Sequence, residues 1–213
     1  MFRSALFAAL LSTAALTSAQ AETKSLIVAG GCFWCVEKDF EHVAGVIEAT
    51  SGYAGGTMND PTYRNHGNHR EVVKIDYDSN VVDYKTLVDT FLRTIDPTDP
   101  GGQFCDRGRS YESAIHASTP EEMELALQAV AEGQEELGQT IVTPVEGAVT
   151  FWIAEDYHQN YYKSTESRLT RFGVLTRADA YKRYRKACGR DARVKQLWGD
   201  AAYPGVTHIQ QGS

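Results

Sequence analysis

The apolar run Leu26-Ile27-Val28-Ala29 ends in Gly30-Gly31-Cys32, and beyond it the hydrophobic period changes. A short apolar run closed by two glycines is a buried strand that turns sharply. Phe33, Val36, Phe40 and Val43 follow at helical spacing with acids and a lysine between them, which predicts a helix over 33–43. The chain is thereby held to a strand–turn–helix unit with Cys32 at the first turn of the helix. Unpartnered backbone N–H groups and the helix macrodipole favour an anion at that point. A thiol placed there is expected to ionise easily and to act as a nucleophile near neutral pH.

The chain has 213 residues and a formal net charge of −7. Its first 21 residues read as a secretory leader: Arg3 precedes the apolar stretch 5–16, and Ala19-Gln20-Ala21 supplies small residues at the cleavage spacing. Residues 22–213 are then expected to form one domain with a substantial core. The expected location is the periplasm or the exterior, with no stable membrane insertion once the leader is removed. An acidic chain without a basic block is not expected to bind nucleic acid. Basic residues do gather late, at 182–186 and 190–195, and read as the solvated face of C-terminal helices.

All four cysteines, Cys32, Cys35, Cys105 and Cys188, lie in the mature part. Export permits disulfides, so two structural bridges are one reading. Against it, a Cys32–Cys35 bridge would close a tiny loop and restrain the unfolded chain little. A C-x-x-C after a strand also suggests a thioredoxin-like dithiol centre. Zinc is not expected, because there is one such pair and no paired histidines.

Further strands are expected over 45–53, 71–77, 113–117 and 145–154, and helices over 84–95, 119–137, 156–164 and 177–186. Thr119-Pro120-Glu121-Glu122 is a strong helix start and Gly138 the matching stop. Segments 54–67 and 98–108, rich in glycine, aspartate and proline, are loops. The order β-α-β-β-α-β, with a further helix and strand, predicts an α+β two-layer sandwich of the split βαβ type with a helical and coil C-terminal extension.

The stretch GCFWCVEKDFEHVAGVIEATSGYAGG resembles the opening of the A-type peptide methionine sulfoxide reductases, whose usual signature is GCFWG. The resemblance continues through NDPTY, HREVVKIDYD, DPTDPGGQFCDRGRSYESAI, TPVE and AEDYHQNYY, in that order. It implies an α+β sandwich with a ferredoxin-like core. It also implies an enzyme that reduces the S epimer of methionine sulfoxide in proteins, with the free amino acid left open as a second substrate. In such an enzyme Cys32 attacks the sulfoxide sulfur. The sulfoxide oxygen leaves only when protonated, so a carboxylic acid must keep its proton near neutral pH, and the matching residue is Glu71. Tyr53 and Tyr111 match the phenols that hydrogen-bond the oxygen, Asp106 an orienting carboxylate, and His158 a supporting position. Phe33 and Trp34 are the aromatic walls for the substrate methyl, Trp34 the more so because Phe33 also suits the core.

Attack leaves Cys32 as a sulfenic acid, which condenses with a second thiol. Three resolving candidates follow: Cys188, where the family often keeps a mobile C-terminal cysteine and which is expected to act first, then Cys35, which replaces the second glycine of GCFWG, and Cys105 beside Asp106. No bound cofactor or metal is implied, and electrons would come from an external thioredoxin-like dithiol. The alternative within enzymes is a general thiol–disulfide oxidoreductase working through Cys32 and Cys35.

Overall fold

The computed structural model describes residues 22–207, so the expected leader lies outside the described residues. Ten strands are β1 Thr23–Ala29, β2 Val46–Ala54, β3 Arg70–Asp78, β4 Gly102–Gln103, β5 Asp106–Arg107, β6 Ala114–His116, β7 Val145–Glu146, β8 Trp152–Ile153, β9 Ser167–Thr170 and β10 Gly173–Thr176. Five helices are α1 Phe33–Phe40, α2 Tyr84–Leu92, α3 Pro120–Leu137, α4 Arg177–Ala187 and α5 Arg190–Trp198. None of the described helices is long and apolar enough to cross a membrane.

Six strands form one mixed sheet in the order β7-β6-β1-β3-β2-β8, antiparallel throughout except between β6 and β7. The two-residue period of a strand divides its side chains between two faces. Leu26 and Val28 of β1 and Val73, Ile75 and Tyr77 of β3 join Phe33, Val36, Phe40, Leu87, Val88 and Phe91 in the main core beneath α1 and α2. Ile27, Ala29, Ala54, Val72 and Ala114 belong to a second, smaller cluster with Val149 and Phe151.

The helix starts are as the sequence predicts. Thr119 accepts the Glu122 N–H at 3.1 Å and Gly138 closes α3 in the left-handed conformation at φ 62°. Several expected elements differ. The helix expected over 33–43 ends at Phe40 and the one over 84–95 at Leu92. The single strand expected over 145–154 is two short strands at opposite margins of the sheet. The residues between them put Val149 and Phe151 onto the small-residue cluster, so their apolar character serves a crossing strap rather than a ladder.

The helix expected over 156–164 is two 3₁₀ turns, Asp156–His158 and Tyr161–Lys163, because Asn160 between them adopts φ 55°. The β9–β10 hairpin and α5 were not anticipated. The late basic residues are not all solvated, since Arg185 and Arg190 are buried. Arg185 binds Asp39 at 2.9 Å and Asp191 at 2.7 Å, which offsets the cost of removing its charge from water.

Candidate active site

The β1–α1 turn begins the site. Gly31 holds φ 79°, and a Cβ there would lie 2.5 Å from the Gln103 side chain, so the turn needs glycine for both conformation and space. Cys32 follows as the N-cap of α1, partly exposed. The next backbone N–H, that of Phe33, donates to the Glu71 Oε2 at 3.0 Å. The positive end of α1 is therefore spent on Glu71, brought there from β3.

Both residues line one cleft of about 1130 Å³, together with Phe33, Trp34, Cys35, Asp106, Tyr111 and His158. Cys105 and Cys188 line it as well. Glu71 is 2% exposed, and burial pushes its carboxyl up to about 8 against the pull of the Phe33 N–H. A carboxyl in that range keeps its proton at neutral pH and can donate it.

The cysteine pair departs from the sequence expectation. Cys32 is raised well above the ordinary thiol value, first by its hydrogen bond to Cys35, then by burial and the charges of Glu71 and Asp106. Cys35 is lowered to about 6, first by the hydrogen bond from Cys32, with Arg190 and Arg185 adding to it against burial. The two thiols therefore titrate as one pair, and Arg190 and Arg185 beside it favour the form that carries a single negative charge. The Phe33 N–H of the helix N-terminus is taken by Glu71 and the arginines act on Cys35, so the charge of the pair is set by more than the helix end on which the sequence expectation for Cys32 rests.

The aromatic residues are clamped to one another. Trp34 Nε1 donates to His158 Nδ1 at 3.1 Å, and its ring stacks on Tyr161 with centroids 3.8 Å apart. His158 is buried, which lowers its pKa to about 4 and keeps it neutral as an acceptor. Phe33 packs within the main core, 4.9 Å from the His158 ring and 5.9 Å from that of Tyr53.

Tyr53 pairs with Glu71 across β2 and β3 but does not line the cleft. It is fully buried, and its hydroxyl donates to Glu155 Oε2 at 3.1 Å. Tyr111 does line the cleft, from a 3₁₀ turn after the β4–β5 ribbon. Tyr63 and Tyr157 line it too and were missed in the sequence, although both sit in the quoted stretches NDPTY and AEDYHQNYY. Glu155 was also missed. It accepts the Tyr63 backbone N–H at 3.0 Å as well as the Tyr53 hydroxyl, tying two walls together. Glu37 escaped notice as a helix acid; it is buried, raised to about 7 mainly by burial, and accepts from Ser51 at 2.6 Å and from the Asn160 N–H.

Of the resolving candidates, Cys35 is beside Cys32, whereas Cys105 and Cys188 are joined as a disulfide with Cα atoms 5.0 Å apart. Cys188, expected to meet Cys32 first, lines the same cleft with its sulfur bonded to Cys105. Cys105, Asp106 and Cys188 present three ligand-type atoms within 4.8 Å of one another, yet two are the bonded sulfurs and offer no thiolate to a metal.

Residues 24–190 match the family model described as peptide methionine sulfoxide reductase. The chain is 49% identical over 195 residues to peptide methionine sulfoxide reductase MsrA 2 of Rhizobium meliloti, covering 91% of this chain and 92% of that one. To the MsrA 2 of Caulobacter vibrioides it is 41% identical over 202 residues, covering 91% and 96%. Among solved structures, methionine sulfoxide reductase A of Corynebacterium diphtheriae is similar at a TM-score of 0.60 and 30% identity, over 67% of this chain and 74% of that one. The reduced form of Mxr1 from Saccharomyces cerevisiae gives 0.62 at 26% identity, over 72% and 92%. The chain belongs to the peptide methionine sulfoxide reductase family, and it is a thiol-dependent oxidoreductase of the A type.

Proposed function

We propose that the protein reduces the S epimer of methionine sulfoxide through Cys32, with Glu71 as the proton donor and Cys35 as the resolving thiol. The single observation that carries this reading is a buried, protonated carboxyl in the same cleft as two free cysteines. The Cys32 proton passes to Cys35, three residues on along α1, leaving Cys32 as the attacking thiolate. Its sulfur bonds the sulfoxide sulfur while Glu71 protonates the oxygen, and Tyr111, with Tyr63 beside it, stabilises the oxygen as charge develops. The S–O bond of the substrate then breaks, the hydroxyl passes to the Cys32 sulfur and the methionine thioether departs, leaving Cys32 as a sulfenic acid. Cys35, drawn toward the thiolate by Arg190, then attacks that sulfur, water leaves, and a Cys32–Cys35 disulfide forms. An external thioredoxin-like dithiol supplies two electrons and two protons to restore the pair, so that sulfoxide and dithiol become thioether, disulfide and water.

In this scheme Asp106 orients the site, and Tyr53 acts through Glu155 rather than on the oxygen directly. The Trp34 ring, locked by His158 and Tyr161, forms the wall for the substrate methyl, with Phe33 behind it. A methyl wall opposite phenolic donors is chiral, which supports selection of one epimer. The strand order β6-β1-β3-β2, with α1 and α2 as crossovers, supports a ferredoxin-like split βαβ core. Residues 22–213 are read as one domain behind a secretory leader, acting on oxidised proteins in the periplasm or outside the cell.

The test is an assay on separated S and R epimers with dithiothreitol. The S epimer alone should be turned over, and Cys32→Ser should abolish it. Equal turnover of both epimers, or activity surviving Cys32→Ser, would sink the reading.

A further inference from the structure

We propose that the mouth of the cleft receives acidic peptide segments, so that oxidised methionines flanked by aspartate or glutamate are its preferred substrates; this rests on the reductase reading above. The chain as a whole is acidic, at −7, yet the wall of the cleft runs the other way. Arg64, Arg168, Arg171 and Arg177 all line it. Arg64 comes from the loop between β2 and β3. Arg168 lies in β9, Arg171 in the turn between β9 and β10, and Arg177 at the first position of α4. The hairpin is thus a basic arm laid along one side of the site.

Arg64, Arg168 and Arg171 are exposed, and among the described residues none has a carboxylate within ion-pair distance. Arg177 binds Glu166 at 2.7 Å, and that glutamate is itself mostly in solvent. The carboxyl groups lining the same cleft do little to cancel this charge. Glu71 is raised to about 8 by burial and is mostly uncharged at neutral pH. Glu155 is engaged by the Tyr53 hydroxyl and the Tyr63 backbone, and burial raises Asp106 as well.

The geometry also orients the cations. The Arg171 guanidinium lies 4.8 Å from the Phe172 ring centre and 4.9 Å from that of Tyr184. Arg177 sits 6.0 Å from the Tyr157 ring and 5.9 Å from that of Tyr161. Stacking on a ring face holds the guanidinium while leaving its N–H edge for a carboxylate, a pairing that arginine makes in two parallel bonds. Leu169, 78% exposed, lines the cleft between Arg168 and Arg171 in sequence and offers apolar contact to the peptide between its acidic side chains. A concave surface of one sign concentrates an oppositely charged substrate, and salt weakens the effect.

The experiment uses two peptides with a central methionine S-sulfoxide, identical except for glutamate or lysine on each side. Dithiothreitol is the reductant, so docking of a protein reductant plays no part. At low ionic strength the glutamate peptide should show a kcat/KM about tenfold above the lysine peptide. That ratio should shrink as salt is added and invert in the R168E/R171E double variant. Both peptides meet the same variant, so a general loss of activity cancels from the ratio. Equal kcat/KM in the wild type, or a ratio unmoved by R168E/R171E, would overturn the proposal. Turnover of the neutral N-acetylmethionine S-sulfoxide amide alongside equal peptides would confine the failure to the charge preference. Failure on all three substrates would overturn the reductase reading with it.

Discussion

At the scale of single residues, the site depends on where two protons reside. Glu71 holds its proton up to about pH 8 because burial penalises the carboxylate, and that proton is lost as pH rises through the same region. Glu71→Gln should therefore lower kcat/KM for the S epimer by about 100- to 10,000-fold, the span of a lost general acid. Cys32 should still react with an alkylating reagent, and a general thiol–disulfide oxidoreductase would be indifferent to the change. The same raised value means that the folded state binds a proton the unfolded chain has already released. Wild-type stability should fall as pH rises from the ordinary carboxylate range toward 8, a slope that Glu71→Gln removes in denaturant titrations. Arg190 is the second such residue. It is 2% exposed, donates to the Gly30 carbonyl at 3.2 Å, and lies over the Phe104 ring at 4.8 Å. Among the described residues its Nε and Nη2 have no hydrogen-bond partner, and its charge helps lower Cys35. Arg190→Gln should raise the Cys35 value above about 6, read as the pH midpoint of thiolate ultraviolet absorbance.

At the scale of elements, the strap between β7 and β8 sets a tight steric constraint outside the site. A Cβ on Gly52 would meet the Phe151 ring and lie 2.5 Å from the Trp152 carbonyl oxygen, a backbone atom that cannot swing aside. Gly52→Ala should cost about 1–3 kcal/mol in urea unfolding by overpacking, and should loosen β8 first in hydrogen exchange. The strand–turn–helix at Cys32 was legible because its signals are local: an apolar run, two glycines, then a change of period. The strap was not, since Val145 to Ala154 reads as one apolar run whether it pairs as a strand or crosses a sheet. The β9–β10 hairpin escaped for the opposite reason. Its large apolar residues Leu169 and Val174 are exposed, so no buried face marks its period. Burial of Arg185 was equally invisible, because its partner Asp39 lies 146 residues away in the chain. The motifs carried Cys32, Glu71, Tyr111 and Asp106 to one cleft. They did not separate Tyr53, directed at Glu155, from Tyr63, which lines the wall.

At the scale of the whole molecule, the four cysteine sulfurs divide into a free pair and a bonded pair. The Cys105–Cys188 bridge spans 83 residues and joins the β4–β5 ribbon to the junction of α4 and α5. Cys188→Ser should cost about 2–4 kcal/mol of stability through the freed unfolded chain. The Cys32–Cys35 disulfide should still form after one turnover, as seen by mass mapping. Loss of that product in Cys188→Ser would instead return the resolving role to Cys188. The sheet carries a separate consequence. Its two outermost ladders, β7 and β8, are each only two residues long and are supplied by one continuous passage of chain. A foreign strand seeking an open backbone to copy meets only two-residue templates in β7 and β8, while the stretch of β2 before Gly52 is the longer edge that β8 leaves uncovered. Pairing of two copies through that edge is the association the sheet leaves open.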